Sequence, residues 1–179
     1  MGRQSITVHD LSEVQSYVDK LGSSNPAEHY SVRSAESVMK RGYGLCIEKA
    51  LVAAYLAEQL GHKPRILSLA SSRDIIESQS GEIQRPAHSV FVYGNPETGY
   101  GTIGNSTLGS IGPGIRSEKN IPRSYSKRIK DIFGYNMDEW YIFNLNEDLF
   151  SHIDWRFSGE EITKLNKLMN KVRHRPVWD

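Results

Sequence analysis

The chain contains one cysteine, Cys46, and its surroundings are compatible with a nucleophile or with a packing residue. Cys46 follows a Gly-Tyr-Gly turn and begins a long apolar stretch with helical spacing. In the first turn of a helix, unpaired backbone N–H groups and the helix dipole favour an anion by about 0.3 to 1 kcal/mol. Because the thiolate is the form that attacks a carbonyl, Cys46 is a candidate for covalent catalysis. The alternative is a packing role, since cysteine is among the most buried residue types.

A histidine could serve as the base for that thiol, and His88 is the best placed of six. It opens the alternating apolar segment AHSVFVY, where a strand would fix the direction of its side chain. The other histidines lie at a helix end, in polar or basic segments, or before any packed element; they are His9, His29, His62, His152 and His174.

The elements around these two residues predict a helix packed on a sheet. Alanine and leucine form a broad stripe from Cys46 to Leu60, which predicts a central helix that neighbours approach closely. RILSLA then predicts a strand, and AHSVFVY and YGTIG predict a hairpin around the turn GNPETG. His88 would lie near the open end of that hairpin.

The remaining segments predict an α+β fold. Helices are expected at about 11–21, 34–40 and 125–135, with a closing amphipathic helix at 158–173. WYIFNL predicts a further strand, the segment 71–85 an excursion, and the glycine-rich NSTLGSIGPGIRS a loop.

Composition restricts the class of protein. A chain of 179 residues with 38% apolar and 24% charged residues predicts one globular domain spanning 1–179. One cysteine excludes an internal disulfide and a multi-cysteine zinc site, and we expect no metal or other cofactor. A net charge of +1 gives no global reason to expect a polyanionic partner. Without a signal peptide or a membrane-spanning stretch, a cytoplasmic location is expected.

The order of these motifs resembles a known superfamily. GYGLCIEKALVAAYLAEQLGHKPRILSL followed by AHSVFVYGNPETGYGTIGNS is similar to the core of transglutaminase-like proteins. The resemblance covers about 34–106, with 107–179 as C-terminal additions. A looser likeness, through the glycine-rich segment and the IDWR motif, extends to a little-characterised microbial branch.

The resemblance implies a papain-like fold in which a central helix carries the cysteine and packs on an antiparallel sheet. Cys46 would be the nucleophile and His88 the general base. Tyr43 and Gly44, beside the nucleophile, are candidate substrate-binding residues, and simple packing is the alternative for Tyr43.

The third member of the expected triad departs from the superfamily pattern. An aspartate is usual near the end of the second strand, yet positions 100–110 contain no acidic residue. The polar candidates are Thr102, Asn105 and Ser106. If Ile103 faces the core helix, strand alternation places Ser106 on the triad face, whereas Asn105 needs a bulge that neighbouring glycines permit, and both stay candidates. Asp74 or Glu82, in the preceding excursion, could supply the acid instead.

Three functions are consistent with the sequence. The first is a cysteine-dependent amide or isopeptide hydrolase, or an acyl transferase, that acts through a thioester on a protein or peptide. The second is a weakly active or inactive module that binds a protein or peptide in the same groove. The third is RNA binding through two basic clusters, against which the near-neutral total charge argues. The clusters are Arg116, Lys119, Arg123, Lys127, Arg128 and Lys130, and Lys164, Lys167, Lys171, Arg173 and Arg175.

Overall fold

The structure is a computed structural model that describes residues 6–23, 32–77, 83–104, 108, 110–146 and 155–156, with positions 83 and 84 as backbone only. In these residues the helices are α1 (Leu11–Lys20), α2 (Ala35–Arg41), α3 (Cys46–Glu58) and α4 (Asn120–Phe133). The strands are β1 (Gly22–Ser23), β2 (Tyr43–Gly44), β3 (Arg65–Ala70), β4 (Ile76–Glu77), β5 (Ile83–Gln84), β6 (Ala87–Asn95), β7 (Gly99–Ile103), β8 (Ile111–Ile115) and β9 (Glu139–Asn144).

A five-stranded sheet in the order β8-β7-β6-β3-β9 forms the centre of the fold, and all of its pairs are antiparallel. The register places His88 opposite Leu69 of β3, which in turn lies opposite Trp140 of β9. Beside this sheet, β1 pairs with β2 in parallel and β4 pairs with β5.

Helices cover both faces of the sheet, because alternate residues of each strand are apolar on both sides. Phe91 and Tyr93 of β6 pack in the cluster that contains α3, whereas Val90 and Val92 pack in the cluster that contains α4. Ten of the thirteen residues of α3 are buried, as its alanine-rich sequence predicts for a central helix. The arrangement is therefore α3, sheet and α4, with α1 and α2 packed on α3.

Trp155 and Arg156 connect two of the helices on the α3 side of the sheet. The indole of Trp155 is buried. The backbone carbonyl of Trp155 accepts a hydrogen bond from the backbone N–H of Ala35 at 3.3 Å. Arg156 makes two hydrogen bonds to the carboxylate of Glu58, at 2.6 and 2.7 Å. Trp155 and Arg156, the described half of the IDWR motif, therefore connect the start of α2 to the end of α3.

The structure confirms the mixed α+β class and an antiparallel sheet that includes the three predicted core strands. The prediction of a loop over the glycine-rich segment is wrong, because Ile111–Ile115 forms edge strand β8. Helix α4 begins at Asn120, five residues before the predicted start. The expected closing helix at 158–173 lies outside the described residues, and in the described ones no helix has the length and hydrophobicity to cross a membrane.

Substitution of Gly101 tests the unexpected strand. A β-carbon at Gly101 would overlap the ring of Tyr93 and lie 2.6 Å from the carbonyl oxygen of Ile111 in β8. We expect Gly101→Ala to lower the free energy of unfolding by about 1 to 3 kcal/mol, measured by urea denaturation, because the edge strand must move. Gly112→Ala is the control, since a β-carbon there meets nothing within 4 Å. Equal stability of the two variants would contradict the β7–β8 pairing.

Candidate functional site

A buried ion pair fixes the turn that precedes Cys46. Glu48, in the first turn of α3, has no exposed side-chain surface, and Arg33 is 10% exposed. The guanidinium donates to both carboxylate oxygens at 2.8 and 2.9 Å, and the backbone N–H of Arg33 donates at 2.9 Å. The carboxylate also accepts from the backbone N–H of Leu45 at 2.8 Å. Glu48 thus holds the residue directly before the cysteine.

These contacts keep Glu48 ionised. Burial by itself raises the pKa of Glu48, but the hydrogen bonds from Arg33 and from the backbone N–H of Leu45 outweigh it, and the pKa is lowered. The carboxylate is therefore negative at neutral pH and remains paired with the guanidinium.

The two candidate substrate-binding residues take part in this same packing. Gly44 is buried, and a β-carbon there would lie 3.1 Å from a carboxylate oxygen of Glu48. The guanidinium of Arg33 lies over the ring of Tyr43, with its Cζ atom 5.0 Å from the ring centroid. Both residues shape the turn, and their role toward a substrate stays a prediction.

Cys46 is the first residue of α3, as the sequence predicts, and it is partly exposed. Burial of the thiol raises its pKa, and this effect exceeds the opposing hydrogen bonds from the backbone of Ser89, Ile47 and Cys46 itself. The sulfur of the free protein is therefore a neutral thiol, with several N–H groups arranged to stabilise negative charge when it forms.

His88 is 8% exposed and stacks on Tyr125 of α4, with ring centroids 5.7 Å apart and planes 8° apart. Burial lowers its pKa to about 4, so the imidazole is neutral at physiological pH. Its Nε2 atom is buried and has no hydrogen-bond partner in the part of the chain that the structure describes. A neutral ring with a free nitrogen is able to accept a proton.

The structure places Cys46 next to the start of β6, although the imidazole of His88 projects toward the opposite face of the sheet from α3. The described β6–β7 pairs run from Asn95 with Gly99 to Phe91 with Ile103, and Ser89 lies beyond the last of them. The sulfur occupies this position, where the Ser89 backbone stabilises its anion. No hydrogen bond joins the sulfur to the imidazole among the described contacts.

The third member of the triad stays a prediction. Asn105 and Ser106 both lie outside the described residues. Asp74 accepts a hydrogen bond from the backbone N–H of Asn136 at 2.6 Å, in the loop before β9, and Glu82 is not described. Thr102, another polar residue of this strand, accepts from the backbone N–H of Ile111 at 3.2 Å and so belongs to the β7–β8 pairing.

Two neighbours of the site were not found by sequence reasoning. Lys49 is buried one turn after Cys46, and its ammonium donates to the carbonyl of Leu21 at 2.7 Å. Burial lowers its pKa, and the negative charge of Asp19, joined by that of Cys46 when the thiol ionises, opposes that effect. Tyr125 is fully buried against His88, and burial raises its pKa. A lysine inside the apolar stripe was the one available signal, because lysine is rarely buried.

No protein-family model matches this chain, and comparison with curated proteins finds no match. Within the described residues, no three His, Cys, Asp or Glu side chains form a group that could hold a metal ion. We therefore infer function from the arrangement of the residues themselves.

Neutralising Glu48 tests its role in the turn. Glu48→Gln leaves the guanidinium of Arg33 buried without its counter-charge, and we expect a loss of about 3 to 5 kcal/mol in the free energy of unfolding. The control is Glu36→Gln, which removes the partly exposed i,i+4 pair with Lys40 and should cost less than about 1 kcal/mol. Chemical denaturation measures both, and equal effects would show that the buried pair does not hold the turn.

The low pKa of His88 predicts a pH-dependent stability. The folded-state pKa of about 4 lies below the unfolded value of 6.5, so the unfolded chain binds more protons between these values. Stability is therefore fully present above pH 6.5 and falls as the pH drops toward 4, by roughly 3 kcal/mol from this residue. Denaturation from pH 7 to 4.5 measures the slope before most carboxylates titrate.

His88→Phe keeps a ring beside Tyr125 and should remove most of that slope. His62→Phe is the matched control, because His62 also has a pKa lowered by burial but is only half-buried. A slope that survives in His88→Phe and disappears in His62→Phe would assign the effect to the wrong histidine.

Proposed function

We propose that the protein is a cysteine-dependent amide or isopeptide hydrolase, or an acyl transferase, with a transglutaminase-like, papain-like arrangement. Cys46 is the nucleophile and His88 the general base. The observation that carries the proposal is the position of Cys46, at the first residue of the central helix and beside the backbone of Ser89, the residue that follows His88.

The reaction begins from two neutral groups. The Cys46 thiol transfers its proton to the imidazole of His88 as the sulfur bonds to the carbonyl carbon of the substrate. The backbone N–H of Cys46 donates to the oxyanion that forms on the carbonyl oxygen. The imidazolium then gives its proton to the leaving nitrogen as the C–N bond breaks, and a thioester remains on Cys46. Water or a second amine attacks the thioester and releases the thiol.

The electrostatics of the site support a base rather than a standing ion pair. Burial raises the pKa of Cys46 and lowers that of His88, so both changes oppose a resting thiolate and imidazolium. The same burial leaves His88 unprotonated at every pH above about 4, so the ring has a nitrogen open to a proton, but it also makes the imidazole a weaker base than an ordinary histidine. Asn105 or Ser106 remains our proposal for the residue that orients the imidazole.

A second function is favoured by one observation, the lack of a hydrogen bond between the sulfur and His88 among the described contacts. In this case the protein is a catalytically inactive module that binds a protein or peptide in the same groove. The two functions differ in whether Cys46 becomes acylated, and that difference is measurable without knowledge of the natural substrate.

Acylation by p-nitrophenyl acetate tests the catalytic function. We expect a stoichiometric burst of p-nitrophenol, with an acetyl group on Cys46 detected by mass spectrometry and absent in Cys46→Ala. Because His88 is already unprotonated, the burst rate should change little from pH 8 down to about 5.5 and fall only as the pH approaches the His88 pKa of about 4.

Replacement of the base should slow this burst. His88→Phe removes proton transfer and should reduce the rate by about 100-fold or more, whereas His62→Phe should leave it unchanged. A rate that rises steadily toward pH 9 and 10 and is equal in wild type and His88→Phe would indicate an unassisted thiol, and would leave the binding module as the function.

A further inference from the structure

Helix α4 carries a positive surface that the proposed chemistry does not use. Residues 116–131 contain six basic and two acidic residues, in a chain whose net charge is only +1. The side chains of Lys119, Arg123, Lys127 and Lys130 are exposed and fall within about 80° of arc, at 100° per residue. We call these four residues the basic stripe; it extends about 17 Å along the helix.

The acidic side chains near the basic stripe leave most of its positive charge without a counter-charge. Glu118 forms its ion pair with Arg65 of β3, at 2.6 Å. Lys119, Lys127 and Lys130 form no ion pair with any residue that the structure describes. Arg128, outside the stripe, donates to the carbonyls of Leu108 and Ser110 at 2.9 and 2.8 Å. The three lysines of the stripe are therefore open to an external anion.

The stripe leads toward the end of the sheet where Cys46 lies. Helix α4 starts beside the first residue of β3, where Arg65 meets Glu118, and runs toward the end of the sheet where β3 finishes and β6 begins. At that end, the backbone N–H of Asn136, in the loop after α4, donates a hydrogen bond to the carboxylate of Asp74, in the excursion that follows β3. On the way the helix passes Tyr125, which stacks on His88.

An apolar surface continues the stripe at that end. Among the described residues the exposed large hydrophobic side chains are Ile75, Ile132 and Phe133, at 68%, 49% and 44% exposure. Ile132 and Phe133 end α4, and Ile75 follows Asp74 in the hydrogen-bonded excursion. All three therefore gather at the same end of the sheet as the candidate site.

We infer that the basic stripe docks an acidic segment of the protein or peptide substrate and directs it to Cys46, with an apolar substrate side chain against Ile132 and Phe133. This inference rests on the proposed function. Charge complementarity selects an acidic partner, because the stripe is positive while the rest of the chain has an acidic excess. A peptide fits better than RNA, since the exposed apolar side chains cluster at one end rather than alternate with the basic ones.

Fluorescence anisotropy with the full chain tests the inference. The probe is a fluorescein-labelled peptide with a run of glutamates followed by Phe-Gln-Gly, compared with a peptide in which lysines replace the glutamates. We expect the acidic peptide to bind with an affinity that falls as salt rises, and the basic one not to bind. Lys119→Gln, Lys127→Gln and Lys130→Gln together should weaken binding about tenfold or more.

The matched control neutralises three exposed lysines elsewhere, Lys20, Lys40 and Lys63, and should change the affinity less than about twofold. Phe133→Ser should weaken the acidic peptide that contains Phe but not one with Ser in its place. Equal losses in the two triple variants, or no binding by wild type, would overturn the inference. So would tighter binding of a labelled poly(U) oligonucleotide with the same dependence on the stripe, which would assign the surface to RNA.

The same experiment separates this inference from the proposed catalysis. Cys46→Ala should bind the acidic peptide as wild type does, because docking precedes the chemistry. If the acidic peptide binds through the stripe while p-nitrophenyl acetate gives no burst, docking stands and catalysis fails. If the burst depends on His88 and the peptide does not bind, catalysis stands and docking fails.

Discussion

The buried contact between Arg33 and Glu48 determines the geometry on which the candidate site depends. A carboxylate with no exposed surface is stable only if a cation and several donors replace its water, and Glu48 obtains both from Arg33 and the Leu45 backbone. One oxygen thereby fixes the residue before Cys46, and the other fixes the segment that leads into α2. The position of the sulfur is a consequence of this pair rather than of the apolar core alone.

Burial then sets the charge state of the two reactive groups. The core that orients α3 and His88 also removes water from them, so the neutral thiol and neutral imidazole are favoured over the ion pair. Backbone N–H groups of Ser89, Ile47 and Cys46 offset part of that cost for the sulfur. In the function we propose, charge would develop on the sulfur only as its bond to the substrate forms, and the thiol of the free protein stays neutral.

Local patterns predicted the parts of the fold that depend on neighbouring residues. Helical spacing located α3, and alternation located β3, β6 and β7, because apolar periodicity is a local property. Strand β8 was missed, since Gly112, Pro113 and Gly114 have low strand propensity and only pairing with β7 forms the strand. The Arg33–Glu48 pair was also missed: no local pattern shows that charges 15 residues apart will be buried together. Tyr125 beside His88 is a tertiary contact of the same kind.

The alternation of β6 explains both the separation and the proximity of the two candidate catalytic residues. His88 shares a face with Val90 and Val92, which pack toward α4, so its ring lies behind the sheet as seen from α3. If β6 were paired on both sides at this position, the sheet would separate the ring of His88 from Cys46. The sulfur, however, is beside Ser89, past the last described pair of β6 with β7, where β6 is still paired with β3 but its other side is open among the described pairs. In the function we propose, the Cys46 thiol would pass its proton to the His88 imidazole through this open side of β6.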